Sequence, residues 1–338
     1  MDWRKYLGRL PGSRKCLLEW KAWKARRATA KKPADLSVFH DLAPPPTGGG
    51  HQFMRALLAE FEKRSIRVEM NSIHPHSKAL LINSYNFQPD LLRRLKSRPI
   101  NTVHRLDGPL QSYRGFDDGT DGRIVALNRE FADVSVFQSQ FSKDEHRRLG
   151  MNVKAGPVIL NASNSDIFRK RGERLPGRTV KVIATSWSDN PNKGLEAYQW
   201  LDDNLDFTAF DFIFVGNCRA NFKNIKHIPP CSSDQVAKYL ADSDIYLTAS
   251  INDPCSNSLT EALTVGLPCV YRKSGGHAEI AGLAGEGFFR YEEIPTLLNK
   301  IHNDWLTYHH GIRVPSMDSI ADAYISVLKL DQFASTGS

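Results

Sequence analysis

From residue 36 onward, short apolar runs alternate with amphipathic stretches. Leu36–His40, Arg67–Met70, Ala79–Ile82, Ile100–His104, Val134–Gln138 and Val158–Leu160 have the length and the branched or aromatic content of buried strands. Between them, Gly50–Lys63 and Asp90–Lys96 place apolar residues at helical spacing. A charged stretch rich in Gly, Pro and Arg, Arg169–Arg178, breaks the alternation and reads as a linker. The pattern then restarts, with strands at Val180–Thr185, Phe212–Val215, Ile225–Ile228, Ile245–Thr248 and Cys269–Tyr271 and helices at Asn192–Asp203, Asp234–Ala241 and Asn257–Thr264. A last helix puts Met317, Ile320, Tyr324, Val327 and Leu328 on one face. Strands spaced by helices predict α/β architecture with parallel sheets covered on both faces. The restart predicts two such Rossmann-like domains facing a cleft, with ligands at the strand C-terminal ends. The expected division is an arm over 1–34, a first domain over 35–168, a linker at 169–178, a second domain over 179–314, and a helix and tail over 315–338 crossing back to the first domain.

Composition narrows the class. At 41% hydrophobic and 24% charged, the 338 residues are ordinary for a globular enzyme, which excludes a disordered, collagen-like or coiled-coil chain. No apolar run approaches the roughly 20 residues of a membrane span. The basic N-terminus is not followed by the apolar core of a secretory signal. Five cysteines without a CxxC pair predict neither a disulfide framework nor a zinc knuckle, and suit a reducing, cytoplasmic compartment.

Charge changes the picture more. Residues 1–32 hold eleven Lys and Arg against two acids, whereas the rest of the chain is almost neutral despite the overall +8. A nucleic-acid enzyme carries its basic surface on the folded body, so no nucleic-acid partner is expected. The same segment places Trp3, Tyr6, Leu7 and Leu10 on one helical face, and Leu17, Trp20 and Trp23 resume the pattern beside Lys21, Lys24, Arg26 and Arg27. Two readings stay open: a helix at an anionic membrane surface, peripheral at its inner face, or an arm packed on the body or on a partner.

The chemistry concentrates between Asn252 and Gly282. Asp253 lies in the loop after a strand and Glu261 inside the next helix, with Ser256, Asn257 and Ser258 at the helix start, where free amides make a seat for phosphate. Glu261 is one turn in, placed to accept two ribose hydroxyls. Gly275-Gly276, lacking side chains, let backbone approach a ligand, with His277 and Glu279 following. This stretch resembles the donor-binding signature of glycosyltransferase family 4, retaining enzymes of the GT-B fold: an acid, seven residues, a glutamate, then Ala-x-x-x-Gly-x-Pro and Gly-Gly-x-x-Glu. Here the pattern is Asp253, Glu261-Ala262, Gly266, Pro268, Gly275-Gly276 and Glu279, with Asp at 253 where the family has Glu. Ala132–Gly150 and Val158–Phe168 resemble the family's path into the linker, with Asn161 in its Asn-Gly-Val-Asp position. Ala184–Gly194 resembles its diphosphate-gripping loop, in which Lys193 matches the lysine while Ser188 replaces the partner arginine. Arg105 or Arg272 is then the expected substitute cation. Gly48–Phe61 resembles the glycine loop and first helix of the acceptor-side domain.

The resemblance implies a metal-independent, retaining transferase that takes a nucleotide sugar as substrate and needs no cofactor. Its acceptor is a glycan, a lipid-linked molecule or a small molecule. It assigns catalysis to Lys193 and Asp253, and donor binding to Gly49, Gly50, Ser256, Asn257, Ser258, Glu261, Gly276, His277 and Glu279. The turn His104–Gly108 after strand Ile100–His104 faces the expected cleft and adds His104 and Asp107 as catalytic and Arg105 as donor-binding candidates. The alternative left open by Ser188 and Asp253 is a catalytically weak nucleotide-sugar-binding or scaffold protein of the same fold. Asp242-Ser243-Asp244 imitates a metal-binding DxD but sits where a helix leads into a strand, so turn and cap roles are expected. Asp117, Asp118 and Asp121 are expected to cap the following helix.

Overall fold

The computed structural model describes residues 13–29, 33–44 and 48–331, with the side chains of the first helix described over 17–25. Strands β1 (Leu36–Phe39), β2 (Val68–Met70), β3 (Ala79–Asn83), β4 (Asn101–Leu106) and β5 (Val134–Phe137) form a parallel sheet in the order β2-β1-β3-β4-β5. Strands β6 (Val180–Ser186), β7 (Phe210–Gly216), β8 (Lys226–Ile228), β9 (Ile245–Thr248), β10 (Cys269–Arg272) and β11 (Gly285–Phe288) form a second, in the order β11-β10-β9-β6-β7-β8. Both are open α/β sheets, so each has its ligand-accepting crevice beyond the strand C-terminal ends.

Helices α1 (Ser13–Thr29), α2 (Gly49–Lys63), α3 (Pro89–Leu95), α4 (Leu110–Arg114), α5 (Thr120–Phe131) and α6 (Gln140–Arg148) accompany the first sheet. Helices α7 (Leu195–Asn204), α8 (Ser233–Asp242), α9 (Asn257–Val265), α10 (His277–Ala281), α11 (Ile294–Asn303) and α12 (Trp305–His310) accompany the second, and α13 (Met317–Leu328) ends the described chain. Successive strand residues point to opposite faces. Leu36, Val38, Leu81 and Val103 therefore pack against Phe53 and Leu57 of α2 and Ile320 and Tyr324 of α13. Phe39, Leu80 and Ile82 pack the other way, against Leu91 and Leu92 of α3 and Phe131 of α5. The last helix is thus part of the first domain's core. The Asn101 side chain fastens it by donating to the carbonyls of Val327 and Leu328 at 3.2 and 3.0 Å.

Three differences from the sequence reading concern strands, and helices α11 and α12 were not anticipated either. Val158–Leu160 is not a strand: it meets β5 through one bridge, Phe137 to Val158, since Pro157 has no amide to extend a ladder. Strand β11 was not anticipated, because Gly-Glu-Gly-Phe offers one large apolar residue and no alternation. Strand β4 continues two residues beyond His104, with consequences for the site.

Helix α1 lies on the first domain. Ala22 is buried among Phe39, Phe87 and Leu91, Lys21 Nζ donates to Gln88 Oε1 at 3.0 Å, and Glu19 pairs with Arg94. Its other face carries Trp20 and Trp23, each 52% exposed, with Lys24 Nζ 5.3 Å from the Trp20 ring centre. The expected helical face from Trp3 to Leu10 lies outside the described residues. Among the described residues no helix is long and apolar enough to cross a membrane.

Candidate active site

The two sheets turn their C-terminal ends toward a shared cleft of about 820 Å³. The first domain lines it with His40 after β1, the Gly48–Gln52 start of α2, Asn83, Asp107 and Gly108 after β4, and Tyr113 and Arg114 of α4. The second domain contributes Ser186–Ser188 after β6, Lys193, Ser250 and the Asp253–Ser258 turn leading into α9, with Glu261 behind it. Lys193, Asp253, Asp107, Gly49, Gly50, Ser256, Asn257, Ser258 and Glu261 are therefore brought to one cavity.

The expected seat for an anion is the start of α9. The Ser256 hydroxyl caps it, accepting from Leu259 N, and Gly266 ends it in the left-handed region at φ 103°. First-turn amides have no helical carbonyl to bind, and the helix dipole adds positive potential there. On the same helix the half-buried Glu261 carboxyl is pushed up to about 8 by burial, which leaves it mostly neutral at pH 7.

Lys193 stands at the end of a 3-10 turn after β6, its Nζ 2.7 Å from Asp253 Oδ2 and 5.0 Å from the Tyr113 ring centre. Burial works against the charge on each, yet Lys193 holds the Asp253 carboxyl below its usual range while Asp253 and Tyr113 raise the Lys193 ammonium. Asp253 is fixed from below. Its carbonyl accepts from Gly276 N at 2.9 Å, and a Cβ on Gly275, at φ +68°, would come within 2.7 Å of its amide. Gly275 and Gly276 serve this backbone approach to the Asp253–Pro254 turn, where any side chain would collide.

Several expected residues do not reach the cleft. Because β4 runs to Leu106, His104 and Arg105 are strand residues facing opposite sides of the sheet. His104 is fully buried, its Nε2 2.9 Å from Ser84 O and its Nδ1 receiving the Asn128 amide at 3.2 Å, with burial pushing its pKa down to about 4. Arg105, 1% exposed, lies under the cleft floor 4.4 Å from the Phe53 ring centre and donates to Asn83 and Asn161 at 2.8 Å each. The other expected cation, Arg272, packs over Phe288 and Tyr291 and does not line the cleft either. His277 is one layer back, its Nε2 3.2 Å from Ser250 Oγ and its Nδ1 donating to Arg272 O. Glu279 accepts from Gln140 N through both carboxylate oxygens, at 3.0 and 2.8 Å, so it caps α6 of the first domain across the seam.

The other acidic motifs serve turns. Asp244 accepts from Lys181 N and Arg174, whereas Asp121, expected to cap the helix that follows, instead accepts from the first amides of the preceding α4. Among the described residues no group of three His, Cys, Asp or Glu is placed to hold a metal ion.

The sequence reading missed His40, His51, Tyr113, Arg114 and Trp187, all of which line the cleft. Arg114, held by Asp118 at 2.5 Å, shares the cationic lining with Lys193. The nearest sequence signal was the Tyr113-Arg114-Gly115 turn after β4. For the histidines, eleven residues apart on different elements, there was none.

Residues 219–308 match the family described as Glycosyl transferases group 1. Among curated protein sequences none matches the chain. The fold is similar to sucrose-phosphate synthase from Thermosynechococcus elongatus, with TM-score 0.68, 11% identity, and 90% of this chain and 100% of that one covered. It is similar to HepE of Anabaena, solved in complex with UDP and glucose, at TM-score 0.62 and 16% identity over 90% and 99% of the chains. A glycosyltransferase from Rickettsia africae is similar at TM-score 0.59 and 13% identity, over 91% and 100%. The chain has the GT-B fold, and its second domain carries a glycosyl transferases group 1 segment; together they support a glycosyltransferase enzyme.

Proposed function

We propose that the protein is a retaining, metal-independent glycosyltransferase that binds a nucleotide sugar in this cleft. The observation that supports it most is the convergence of the α9 N-terminus, Lys193 and Glu261 on one cavity at the ends of both sheets. That arrangement suits a nucleoside diphosphate: anionic oxygens on the helix amides and Lys193, ribose hydroxyls on Glu261. UDP is the first probe, since HepE was solved with UDP and with UDP-glucose. As the sugar C1–O bond to the diphosphate breaks, negative charge grows on the phosphate and positive charge on the sugar. Lys193 and the α9 amides stabilise the first, and Asp253 orients and balances the second. The acceptor hydroxyl bonds to C1 on the face the diphosphate leaves, and its proton passes to the departing phosphate oxygen. Asp107 and the Gly49–Gly50 turn border the acceptor's entry.

The acceptor is a glycan, a lipid-linked molecule or a small molecule. The outward face of α1, with Trp20, Trp23 and Lys24, is suited to an anionic membrane surface on the cytoplasmic side. Thermal-shift titration with UDP, GDP and ADP tests the donor site, because specific binding raises the apparent Tm. No shift with any diphosphate overturns the reading. Anomeric analysis of the transfer product tests retention, and activity in EDTA tests metal independence.

A further inference from the structure

A buried arginine sets the direction of a hydrogen-bond chain that ends in the cleft. Arg105 has N–H donors and no acceptor, so its Nη1, 2.8 Å from Asn83 Oδ1, determines which way the Asn83 amide stands. That leaves Asn83 Nδ2 facing His40 Nδ1 at 3.1 Å, and an amide nitrogen can only donate. His40 Nδ1 therefore accepts, and a neutral imidazole with a bare Nδ1 carries its proton on Nε2. His40 Nε2 lies 3.0 Å from His51 Nδ1 and donates to it. The same step repeats: His51 Nδ1 accepts, so the His51 proton sits on Nε2.

The chain holds at neutral pH and is held in place. Burial, then His51 and Arg105, push the His40 imidazole down to about 4, and burial with Arg55 lowers His51 as well. His40 is fixed through its backbone too, its N–H donating to Asn71 Oδ1 and its carbonyl accepting from Asn71 Nδ2, both at 3.1 Å.

We infer that His51 is a positioning donor, its Nε2–H locked by the Arg105–Asn83–His40 chain and offered to a phosphoryl oxygen of the nucleotide sugar. The inference rests on the nucleotide-sugar reading above. An anion is favoured because His51 lies in the first turn of α2 and, beside it, Gly49 touches the Asn257 side chain at the start of α9. The N-termini of α2 and α9 therefore come together at the edge of the cleft, and both add positive potential beside this ring. A general base for an acceptor hydroxyl needs a lone pair, and here the chain places a proton.

Long-range 1H–15N spectra of histidine-labelled full-length protein read ring protonation directly. The expected ligand-free state has Nε2–H and bare Nδ1 on both His40 and His51; a protonated Nδ1 on His51 overturns the chain. Adding UDP should shift the His51 Nε2 signal, and GDP and ADP are the parallel probes. His51→Leu should weaken UDP binding roughly tenfold or more, as for a hydrogen bond to a charged oxygen, while His51→Gln, which retains an N–H donor, recovers most of it. Asn83→Asp supplies an acceptor only, so His40 protonates on Nδ1 and the chain reverses to leave His51 Nε2 bare. In that variant the ring spectra should show Nδ1–H and a bare Nε2 on His51, itself untouched; unchanged His51 ring protonation overturns the chain. UDP binding that leaves the His51 signals unmoved overturns the phosphate contact but not the donor site. No binding of UDP, GDP or ADP overturns the donor site and the phosphate contact together.

Discussion

Lys193 and Asp253 neutralise each other across 2.7 Å before any ligand is bound. An incoming diphosphate must share Lys193 with a carboxylate that repels it. Asp253→Asn removes that charge and leaves Lys193 to the ligand. UDP affinity should stay level or rise a few fold, while transfer falls because the developing sugar cation loses its partner; calorimetric Kd beside kcat shows the split. Lys193→Gln should lower kcat by roughly 10²–10³-fold, as for loss of a preorganised charge contact. Glu261 carries a pH dependence of the opposite kind to a salt-bridged acid. Its folded pKa of about 8 lies above the 4.5 of a free glutamate, so the fold favours the protonated form and stability falls as pH rises from about 4.5 to 8. Glu261→Gln should therefore raise the apparent Tm, with a gain that grows from pH 5 to pH 8, yet bind nucleotide less well. A gain that does not vary with pH disproves the burial argument. At this scale alternation offered no signal for Lys193, which came only from the resemblance of Ala184–Gly194 to a diphosphate-gripping loop, and the sequence pattern placed Asp253 before a helix start and Glu261 inside that helix. It misplaced His104 and Arg105 because two extra residues of β4 exchange a loop for a two-sided strand.

Element by element, the parallel strands with covered faces were legible from apolar runs, and β11 was not, for want of apolar residues. What alternation cannot show is which helix ends meet. Gly48–Gly50 reads as one glycine loop, but its positions differ: a Cβ on Gly49 would sit 2.8 Å from the Asn257 Cβ and one on Gly48 3.2 Å from Trp187 Cδ1, whereas at Gly50 it meets no atom within 4 Å. Gly49→Ala should push the α2 and α9 N-termini apart and lower kcat/KM at least tenfold, with UDP binding weakened in parallel. Gly50→Ala, inside the first turn of α2, should instead raise Tm, since alanine costs less to order in a helix. Equal behaviour of the two variants disproves the close approach. The same seam explains Glu279, whose exposed carboxylate serves as the cap of α6 in the other domain. A motif names a residue and its spacing, but the partner in the folded chain comes from a different domain.

For the whole molecule, charge and catalysis occupy different places: the basic excess lies in residues 1–32, while the cleft lies between two nearly neutral domains. The sequence left open whether this arm meets a membrane or packs on the body, and α1 packs one face on the body while its other face stays exposed. Ala22 and the Lys21–Gln88 and Glu19–Arg94 pairs anchor one side, and Trp20 and Trp23 stand outward on the other. Leu17, 41% exposed, extends that outer face. Tryptophan favours the bilayer interface, and each base near an anionic surface adds about 1 kcal/mol, so the face and the neighbouring bases act together. Trp20→Ser with Trp23→Ser should reduce co-sedimentation with vesicles containing an anionic phospholipid, without lowering the Tm, because neither ring belongs to the core. Adding Lys24→Glu should reduce it further. Binding of the unaltered protein should weaken between 0.1 M and 1 M salt, as the Debye length shrinks from ~10 Å to ~3 Å, and the apolar share carried by the tryptophans should persist. Ala22→Asp is the contrasting variant: it buries a charge between α1 and the first domain and should lower the Tm. Equal sedimentation of the unaltered and tryptophan-free proteins assigns α1 to packing alone.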